Sequence, residues 1–169
     1  GPDRLGAVLT GRVTAAVINP PSNFIAEKKG LAVVADVAQM GLVFQHTGAA
    51  TTRRFIRENP DTIRRYVKSH VEAVHRIWTD KEVTVKTLGK YMGSNVDREI
   101  LEKSRENILT EALLPKKQIA SLEGLKTVME DIGERDPRAK TAKPEQFVDF
   151  TFIRELEQSG FIDGLYKKK

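Results

Sequence analysis

The sequence contains no cysteine, and this excludes several classes of site. A chain without Cys has no disulfide framework, no Cys-ligated zinc, no iron–sulfur cluster and no cysteine nucleophile. It also lacks an apolar run approaching the roughly 18 residues of a membrane-spanning helix, and Gly1 to Arg4 do not have the basic-then-apolar pattern of a secretion signal. We therefore expect neither redox chemistry nor a membrane span in this chain.

Aromatic residues and excess charge are also scarce. Phe, Trp and Tyr make up 7% of the 169 residues, and 28 Lys and Arg exceed 23 Asp and Glu by only five, which gives a formal net charge of +5. The hydrophobic content of 40% is typical of a soluble globular protein. The length fits one domain or two small lobes.

The first fifty residues predict alternating strands and helices. Residues 13–18 (VTAAVI) and 31–37 (LAVVADV) are short, nearly continuous apolar runs of strand length, and residues 42–44 form a further short extended piece. A short helix is expected between the two runs, ending before Gly30. Because nearly continuous apolar strands separated by a helix are typical of a parallel sheet covered on both faces, the sequence predicts an α/β fold with a parallel sheet at its N-terminus.

From Thr51 onward the apolar spacing is helical. Asn59-Pro60-Asp61 favours a helix start, because it combines a cap, a proline in the first turn and an acid at the positive end of the helix dipole. The helix that follows has one apolar stripe, made by Ile63, Val67, Val71, Val74 and Trp78. Further helices are predicted to start at the capping boxes of residues 79–82 and 94–97 and at Ser121, and a last one to cover residues 150–158.

No arrangement of residues indicates catalysis or a metal site. His70 and His75 are five residues apart, about 140° around a helix, so they do not share a face as a metal-binding pair requires. His75 lies beside the apolar stripe, where a packing role is favoured. The sequence has no Walker loop, no G-x-G-x-x-G and no G-x-S-x-G. We expect no enzyme, no cofactor and no metal site.

Basic residues cluster between positions 53 and 76, as in some nucleic-acid-binding proteins. They are Arg53, Arg54, Arg57, Arg64, Arg65, Lys68 and Arg76. Acidic residues interrupt the cluster, and Asp61–Arg65 and Glu72–Arg76 have the i,i+4 spacing of helical ion pairs. Aromatic side chains that would stack on bases are not interleaved with it. A solvated helix face is therefore the better interpretation, and no nucleic-acid partner is expected.

The polar segment after the first predicted strand is the best candidate for a ligand site. Asn19-Pro20-Pro21-Ser22-Asn23 would lie at the carboxyl end of a parallel strand, where ligands bind in open α/β sheets and where the N–H groups of the next helix favour an anion. A proline-terminated strand without any ligand is an equally good interpretation. Gln45-His46-Thr47-Gly48 is a similar polar interruption between two extended pieces, with a weaker case.

Four segments carry a resemblance to a known family. They are residues 11–21 with 26–30, 51–60, 136–144 and 155–162 (GRVTAAVINPP with AEKKG, TTRRFIRENP, DPRAKTAKP and ELEQSGFI). In this order they resemble the C-terminal portion of the nitrate/sulfonate/taurine-type (thiamine-pyrimidine-synthase-like) substrate-binding proteins of ABC transporters. Together the matches extend over nearly the whole chain. Thr14 departs from the pattern, because the family usually has Asp at that position.

The resemblance implies a type II periplasmic-binding-protein fold, in which two α/β lobes joined by two crossovers close on a solute. Residues 1–41 would be the C-terminal part of lobe 2, and residues 42–169 the crossover and the C-terminal, mainly helical part of lobe 1. Whole members are considerably longer, so we expect a fragment or natural truncation whose signal peptide lies upstream. The full-length protein would be periplasmic, or extracellular and membrane-anchored, and would deliver a small anionic or aromatic solute to ABC permease subunits.

The resemblance also implies a binding site. In such proteins the residue just past the Gly-Arg-containing strand lines the cleft, and that position here is Asn19. An amide carries no charge, so Asn19 would suit an oxyanion or a carbonyl group, and His46 would report on pH if it lies near an anion. The predicted ligand-binding residues are Asn19, Pro20, Pro21, Ser22, Gln45, His46 and Thr47.

Two other functions stay open on the sequence. Thiamine-pyrimidine synthases are enzymes of the same fold, but the cysteine-rich motif associated with them has no counterpart in a chain without Cys. The second alternative is an interaction module that uses its cationic helix face. A fragment without its neighbouring strands would also expose strand edges and apolar helix faces, so we expect a homodimer or a larger assembly.

Overall fold

The computed structural model describes residues 2–92 and 96–167, and within these ranges the chain folds into helices joined by irregular segments. Two short 3-10 turns lie at Val37–Gln39 and Pro144–Phe147. The α-helices are α1 (Pro2–Leu9), α2 (Ser22–Lys28), α3 (Arg53–Glu58), α4 (Pro60–Thr79), α5 (Lys81–Met92), α6 (Arg98–Ile108), α7 (Leu122–Gly133), α8 (Arg138–Thr141), α9 (Thr151–Gln158) and α10 (Phe161–Tyr166).

The predicted parallel sheet is wrong, because the described residues contain no β-strand. The apolar runs 13–18 and 31–36 lie outside the helices, and residues 42–44 are irregular as well. A strand is stable only when its N–H and C=O groups bond to a neighbouring strand. The N–H groups of residues 14–18 and 32–35 donate to no other backbone group in the described part of the chain. The expected α/β, type II periplasmic-binding-protein architecture is therefore corrected to an all-helical one.

The same apolar runs are largely exposed, although their composition predicts buried strands. Val17, Val33 and Val34 are 66%, 61% and 89% exposed. An apolar run identifies side chains that a sheet would bury, but it does not show whether a neighbouring strand is present to bury them. Burial in this chain is supplied by the helices instead.

The helices form two compact units, each assembled from two stretches of the chain. The first unit is Gly1–Asp36 with Arg76–Leu114, and the second is Val37–His75 with Pro115–Lys169. These units are defined within this chain, whereas the predicted assignment of residues 1–41 and 42–169 refers to the lobes of a longer protein. That assignment stays a prediction.

In the first unit, α5 and α6 pack around buried apolar side chains. Val85 of α5 and Ile100 and Leu101 of α6 are all buried. The two helices meet at Gly89, where a Cβ would lie in van der Waals contact, 3.4 Å from Leu101 Cδ1. Helix α2 also contacts α6, and an ion pair between Lys28 and the residue just before α6, Asp97, joins them.

The start of α5 differs in detail from the predicted capping box at 79–82. Asp80 Oδ1 accepts a hydrogen bond from the N–H of Val83 at 3.0 Å. Asp80 therefore caps the helix in place of Thr79, because α4 extends through Thr79. The first residues of the other predicted box, at 94–97, lie outside the described residues.

In the first unit, the side chain of Arg105 of α6 forms hydrogen bonds with the C-terminal end of α4. Arg105 is 8% exposed, and its guanidinium donates to the carbonyls of Ile77 at 3.0 Å and Trp78 at 2.9 Å. These carbonyls belong to the last turn of α4, where C=O groups have no partner within the helix. Trp78 donates its indole N–H to the carbonyl of Leu114 at 3.1 Å. The buried cation thus donates hydrogen bonds to backbone carbonyls at the end of α4.

The core of the second unit is formed by α4, α9 and α10. Val71, Ile153 and Ile162 are almost fully buried. The side chains packed around them are Val67, Phe150, Leu156, Phe161, Leu165 and Tyr166. Because Val67 and Val71 belong to the predicted apolar stripe, that prediction is confirmed for this part of α4.

Helix starts that depend on local signals are confirmed. Helix α4 begins at Pro60, as Asn59-Pro60-Asp61 predicts. Helix α7 begins after Ser121, whose Oγ accepts a hydrogen bond from the N–H of Gly124 at 3.0 Å. Helix α9 falls within the predicted range 150–158.

Replacing Arg105 by Met should destabilise the first unit. The substitution keeps a long unbranched side chain but leaves two carbonyls without their donors, at a cost of about 2–4 kcal/mol. Arg76→Met is the matched control, because Arg76 forms an exposed ion pair with Asp80 at 3.5 Å, and such pairs contribute about 0–1 kcal/mol. Urea unfolding followed by circular dichroism measures both variants. Equal losses of stability would contradict the role assigned to Arg105.

Candidate functional site

The predicted ligand-binding residues fall into two groups, one in each unit. The first unit contains Asn19, Pro20, Pro21 and Ser22, and the second contains Gln45, His46 and Thr47. The two groups differ in which side chains are exposed to solvent and which are engaged by the fold.

Residues 19–22 form the turn that leads into α2. The Asn19 carbonyl accepts a hydrogen bond from the N–H of Asn23 at 3.4 Å, and the peptide bond between Pro20 and Pro21 is cis. Asn19 is exposed, whereas Ser22, the first residue of α2, is buried. The amide of Asn19 is therefore accessible to a solute, while the Ser22 side chain is enclosed by the fold.

Asn23 does not have the helix-capping role that its position suggests. Helix α2 starts at Ser22 itself, so the capping position falls on Pro21, and no side chain caps the helix. The Oδ1 atom of Asn23 is buried and accepts no hydrogen bond within the described residues. Because α2 already includes Ser22 and Asn23, neither side chain is placed to cap it.

Gln45 has a structural role in the second unit. Its Oε1 accepts a hydrogen bond from the N–H of Ser121 at 2.8 Å, and its Nε2 donates to the carbonyl of Thr47 at 2.7 Å. The Oε1 end therefore holds the irregular segment 42–47 against the start of α7, and the Nε2 end forms a hydrogen bond within that segment. The side chains of His46 and Thr47 are exposed beside it. Gln45 is less available to a solute than the sequence suggests.

The contact between segment 42–47 and α7 requires glycine at position 124. A Cβ on Gly124 would lie 2.6 Å from the nitrogen of Gln45 and 2.9 Å from the carbonyl carbon of Phe44. Sequence reasoning missed this contact. The available signal is a Gly in the first turn of a predicted helix, where Gly otherwise lowers helix stability.

Gly124→Ala should release segment 42–47 from α7. The new Cβ would overlap backbone atoms, which cannot rotate away as a side chain can, so we expect a loss of about 1–3 kcal/mol. Gly164→Ala is the control in the same unit, because nothing lies within 4 Å of a Cβ at position 164. Thermal unfolding compares the two variants. A Gly124→Ala protein as stable as the control would show that the close contact is not formed in solution.

The histidines of α4 do not form a metal-binding pair. His70 Nε2 lies 3.0 Å from Gln118 Oε1, and its ring stacks on Tyr66 with the ring centroids 6.2 Å apart. The His75 ring meets the ring of Tyr166 edge-on at 4.9 Å, in agreement with the predicted packing role. Within residues 2–92 and 96–167 no group of three His, Asp or Glu side chains is placed to hold a metal ion.

Ion pairs engage Arg54, Arg64 and Arg76 of the basic cluster of α3 and α4, and the predicted pairs Asp61–Arg65 and Glu72–Arg76 are not among these. Arg64 contacts Asp61 at 2.6 Å and Glu155 at 2.9 Å, so Asp61 pairs with Arg64 in place of Arg65. The hydrogen bond from Arg64 holds the pKa of the Glu155 carboxyl below its ordinary value. Beyond this group, Arg54 pairs with Glu58, and Arg76 pairs with Asp80 instead of Glu72. Interspersed acids are what a solvated face requires.

A shallow groove of about 470 Å³ lies between α5 and α6. Its floor is formed by Val85, Gly89 and Leu101, and the ion pair between Glu82 and Arg98 lies at its edge. Sequence reasoning gave no sign of this groove, because its lining comes from side chains that only the packing of two helices brings together.

Glu102 links the two helices beside this groove. Its carboxylate contacts Lys81 of α5 at 2.8 Å and Arg98 of α6 at 2.7 Å. The hydrogen bonds from Lys81 and then from Arg98 hold the pKa of the Glu102 carboxyl below its ordinary value. The charged form of Glu102 is therefore the one that the folded first unit stabilises.

Glu102→Gln should change the response of stability to acid. A carboxyl whose pKa is lower in the folded state contributes stability above its unfolded pKa, about 4.3, and that contribution disappears as the pH falls through the folded-state pKa. The variant should be less stable than the wild type at about pH 7, and the difference in stability should be smaller at about pH 2–3. Glu99→Gln, which removes an exposed pair with Lys103, is the control and should change little at either pH. The midpoints of urea unfolding of the variant and the wild type at the two pH values measure this difference. A loss of stability in the variant that is the same at both pH values would refute this role of Glu102.

Comparison with known proteins yields one informative similarity. A protein of Brachyspira hyodysenteriae (strain ATCC 49526 / WA1), named "Putative ABC transporter periplasmic binding protein", is 22% identical over 121 residues. These residues are 72% of this chain and 35% of that protein, so the chain spans about a third of the relative's length. No family model and no solved structure matches. The similarity supports the general class of ABC periplasmic binding proteins and does not extend to the nitrate, sulfonate and taurine type.

The helices themselves give no sign of a membrane span. Among those described, none combines the length and the apolar character that crossing a bilayer demands.

Proposed function

We propose that this chain acts as part of the solute-binding component of an ABC importer. The observation that carries the proposal is the similarity of 72% of the chain to the Brachyspira hyodysenteriae protein. The motifs in residues 11–30 and 51–60 support the same class. Because the chain spans 35% of that protein, capture and delivery of the solute are proposed for the protein that contains the corresponding remainder.

The solute that we propose is a small anion or aromatic compound of the nitrate, sulfonate, taurine or carboxylate class. The exposed amide of Asn19 favours such a solute, because an amide donates hydrogen bonds to an oxyanion without adding charge. Asn19 is a better candidate than Gln45, whose amide is engaged by Ser121 and Thr47. Pro20, Pro21 and Ser22 would shape the turn that presents it.

We further propose binding without catalysis. The sequence has no Walker loop and no G-x-S-x-G nucleophile motif, which supports this proposal. The partners would be the permease subunits of the importer, and the place of action the periplasm or the outer face of the membrane. Acidic residues such as Asp61 lie beside the arginines on the cationic face of α3 and α4. This mixture of charges does not favour binding of nucleic acid over the proposed function.

A calorimetric titration series tests the proposed function. The solutes are nitrate, taurine, an alkyl sulfonate and benzoate, each in about 0.5 M salt to suppress purely electrostatic association. We expect one of them to bind, and Asn19→Ala to weaken that binding about tenfold or more, the loss of about 1.4 kcal/mol that one good hydrogen bond to a charged group supplies.

Asn107→Ala is the matched control, because Asn107 is an exposed residue of α6 outside the proposed site. It should leave the affinity unchanged. Binding of none of the four solutes would overturn the proposal for this chain, and equal effects of the two substitutions would remove Asn19 from the site.

A further inference from the structure

The side chain of Arg4, in α1, is bonded to the segment that leads to Asn19. Its Nη1 donates a hydrogen bond to the carbonyl of Val17 at 3.0 Å. Val17 lies outside the helices, two residues before Asn19. The neighbouring Leu5 is buried, and α1 contacts α2, the helix that follows the turn at residues 19–22. The hydrogen bond therefore fixes where the guanidinium lies relative to that turn.

The guanidinium of Arg4 lies close enough to Asn19 for one small solute to contact both. Consecutive Cα atoms are about 3.8 Å apart, so the nitrogen that is bonded to the Val17 carbonyl lies within roughly 10 Å of the Asn19 Cα. Asn19 is exposed, and its amide can extend into this gap. A compound of a few heavy atoms that ends in an oxyanion spans the distance that remains.

The charge of Arg4 is available to such a compound. Arg4 is exposed, and within residues 2–92 and 96–167 it forms no ion pair. A guanidinium has five N–H donors, of which the Val17 carbonyl takes one, and its planar shape matches two oxygens of an oxyanion. Arg64 differs in this respect, because Asp61 and Glu155 already neutralise it. Arg4 can thus bind an anion while it stays bonded to Val17.

We propose that Arg4 determines the specificity of the Asn19 site, by supplying the positive charge that binds the anionic group of the solute. This inference rests on the proposed function and narrows it, since the solute is then a sulfonate or a carboxylate and not a neutral aromatic compound. The uncharged amide of Asn19 forms hydrogen bonds with either kind of solute. The guanidinium binds the charged kind more strongly, because a hydrogen bond between two ions is about twice as strong as a neutral one.

Calorimetric titrations with matched pairs of compounds test the role of the charge. The pairs are methanesulfonate with methanesulfonamide and benzoate with benzamide, in about 0.5 M salt, where screening suppresses the effect of charges that do not contact the solute. The wild type should bind the anion of at least one pair about tenfold or more tightly than the neutral compound. Arg4→Met should remove this preference by weakening the binding of the anion alone. Arg4→Lys keeps the charge and should retain most of the preference.

Arg12→Met is the matched control, because Arg12 is an exposed arginine of the same unit in the turn after α1. It should leave both affinities unchanged. A wild type that binds anion and neutral compound equally, or an Arg4→Met protein that keeps the preference, would overturn this inference and leave the proposed function standing. If none of the four compounds binds to the wild type, the proposed function fails and this inference fails with it.

The contact between Arg4 and Val17 can be tested without any solute. The ¹³C resonance of the Val17 carbonyl should move upfield in Arg4→Met, because the carbonyl loses its hydrogen-bond donor, and should stay in place in Arg12→Met. An unchanged resonance in Arg4→Met would overturn the inference whatever the titrations show, since the guanidinium would then not lie beside the site.

Discussion

A β-strand cannot satisfy its backbone alone, and this requirement decides how the chain folds. The runs 13–18 and 31–36 are as apolar as the strands of a buried sheet, yet residues 14–18 and 32–35 donate to no neighbouring backbone in the described part of the chain. Helices satisfy their backbone internally, so they supply the ordered structure. The α5–α6 pair and the bonds of Arg105 to the end of α4 hold the first unit, and the apolar core of α4, α9 and α10 holds the second.

Features determined by neighbouring residues could be predicted from the sequence. Pro60 starts α4 because its fixed φ suits the first turn and its missing N–H costs nothing there. Ser121 caps α7 because its hydroxyl lies within reach of an N–H three residues later. The apolar stripe of α4 predicts that Val67 and Val71 face the core. Each of these signals acts within one or two helical turns, so no knowledge of the rest of the chain is needed.

Features that depend on distant residues could not be predicted in this way. Whether an apolar run becomes a strand depends on a neighbour, and the sequence pattern contains no information on that neighbour. Gln45 looks like a free polar residue until the fold places Ser121, 76 residues further along, against its side chain. Gly124 and Arg105 act through similar contacts between distant segments. Among the residues proposed for the site, Asn19 keeps an exposed amide.

The N–H groups of residues 14–18 and 32–35, in the two apolar runs, bond to no other backbone group within the described part of the chain. Hydrogen exchange of the backbone amides in dilute, monomeric protein measures this directly. Amides of residues 14–18 and 32–35 should exchange about as fast as those of an unfolded chain, while amides in the middle of α4 and α9 should be protected by orders of magnitude. Protection of residues 14–18 equal to that of α4 would mean that these runs are paired within one chain, and would contradict an all-helical fold with two unpaired apolar runs.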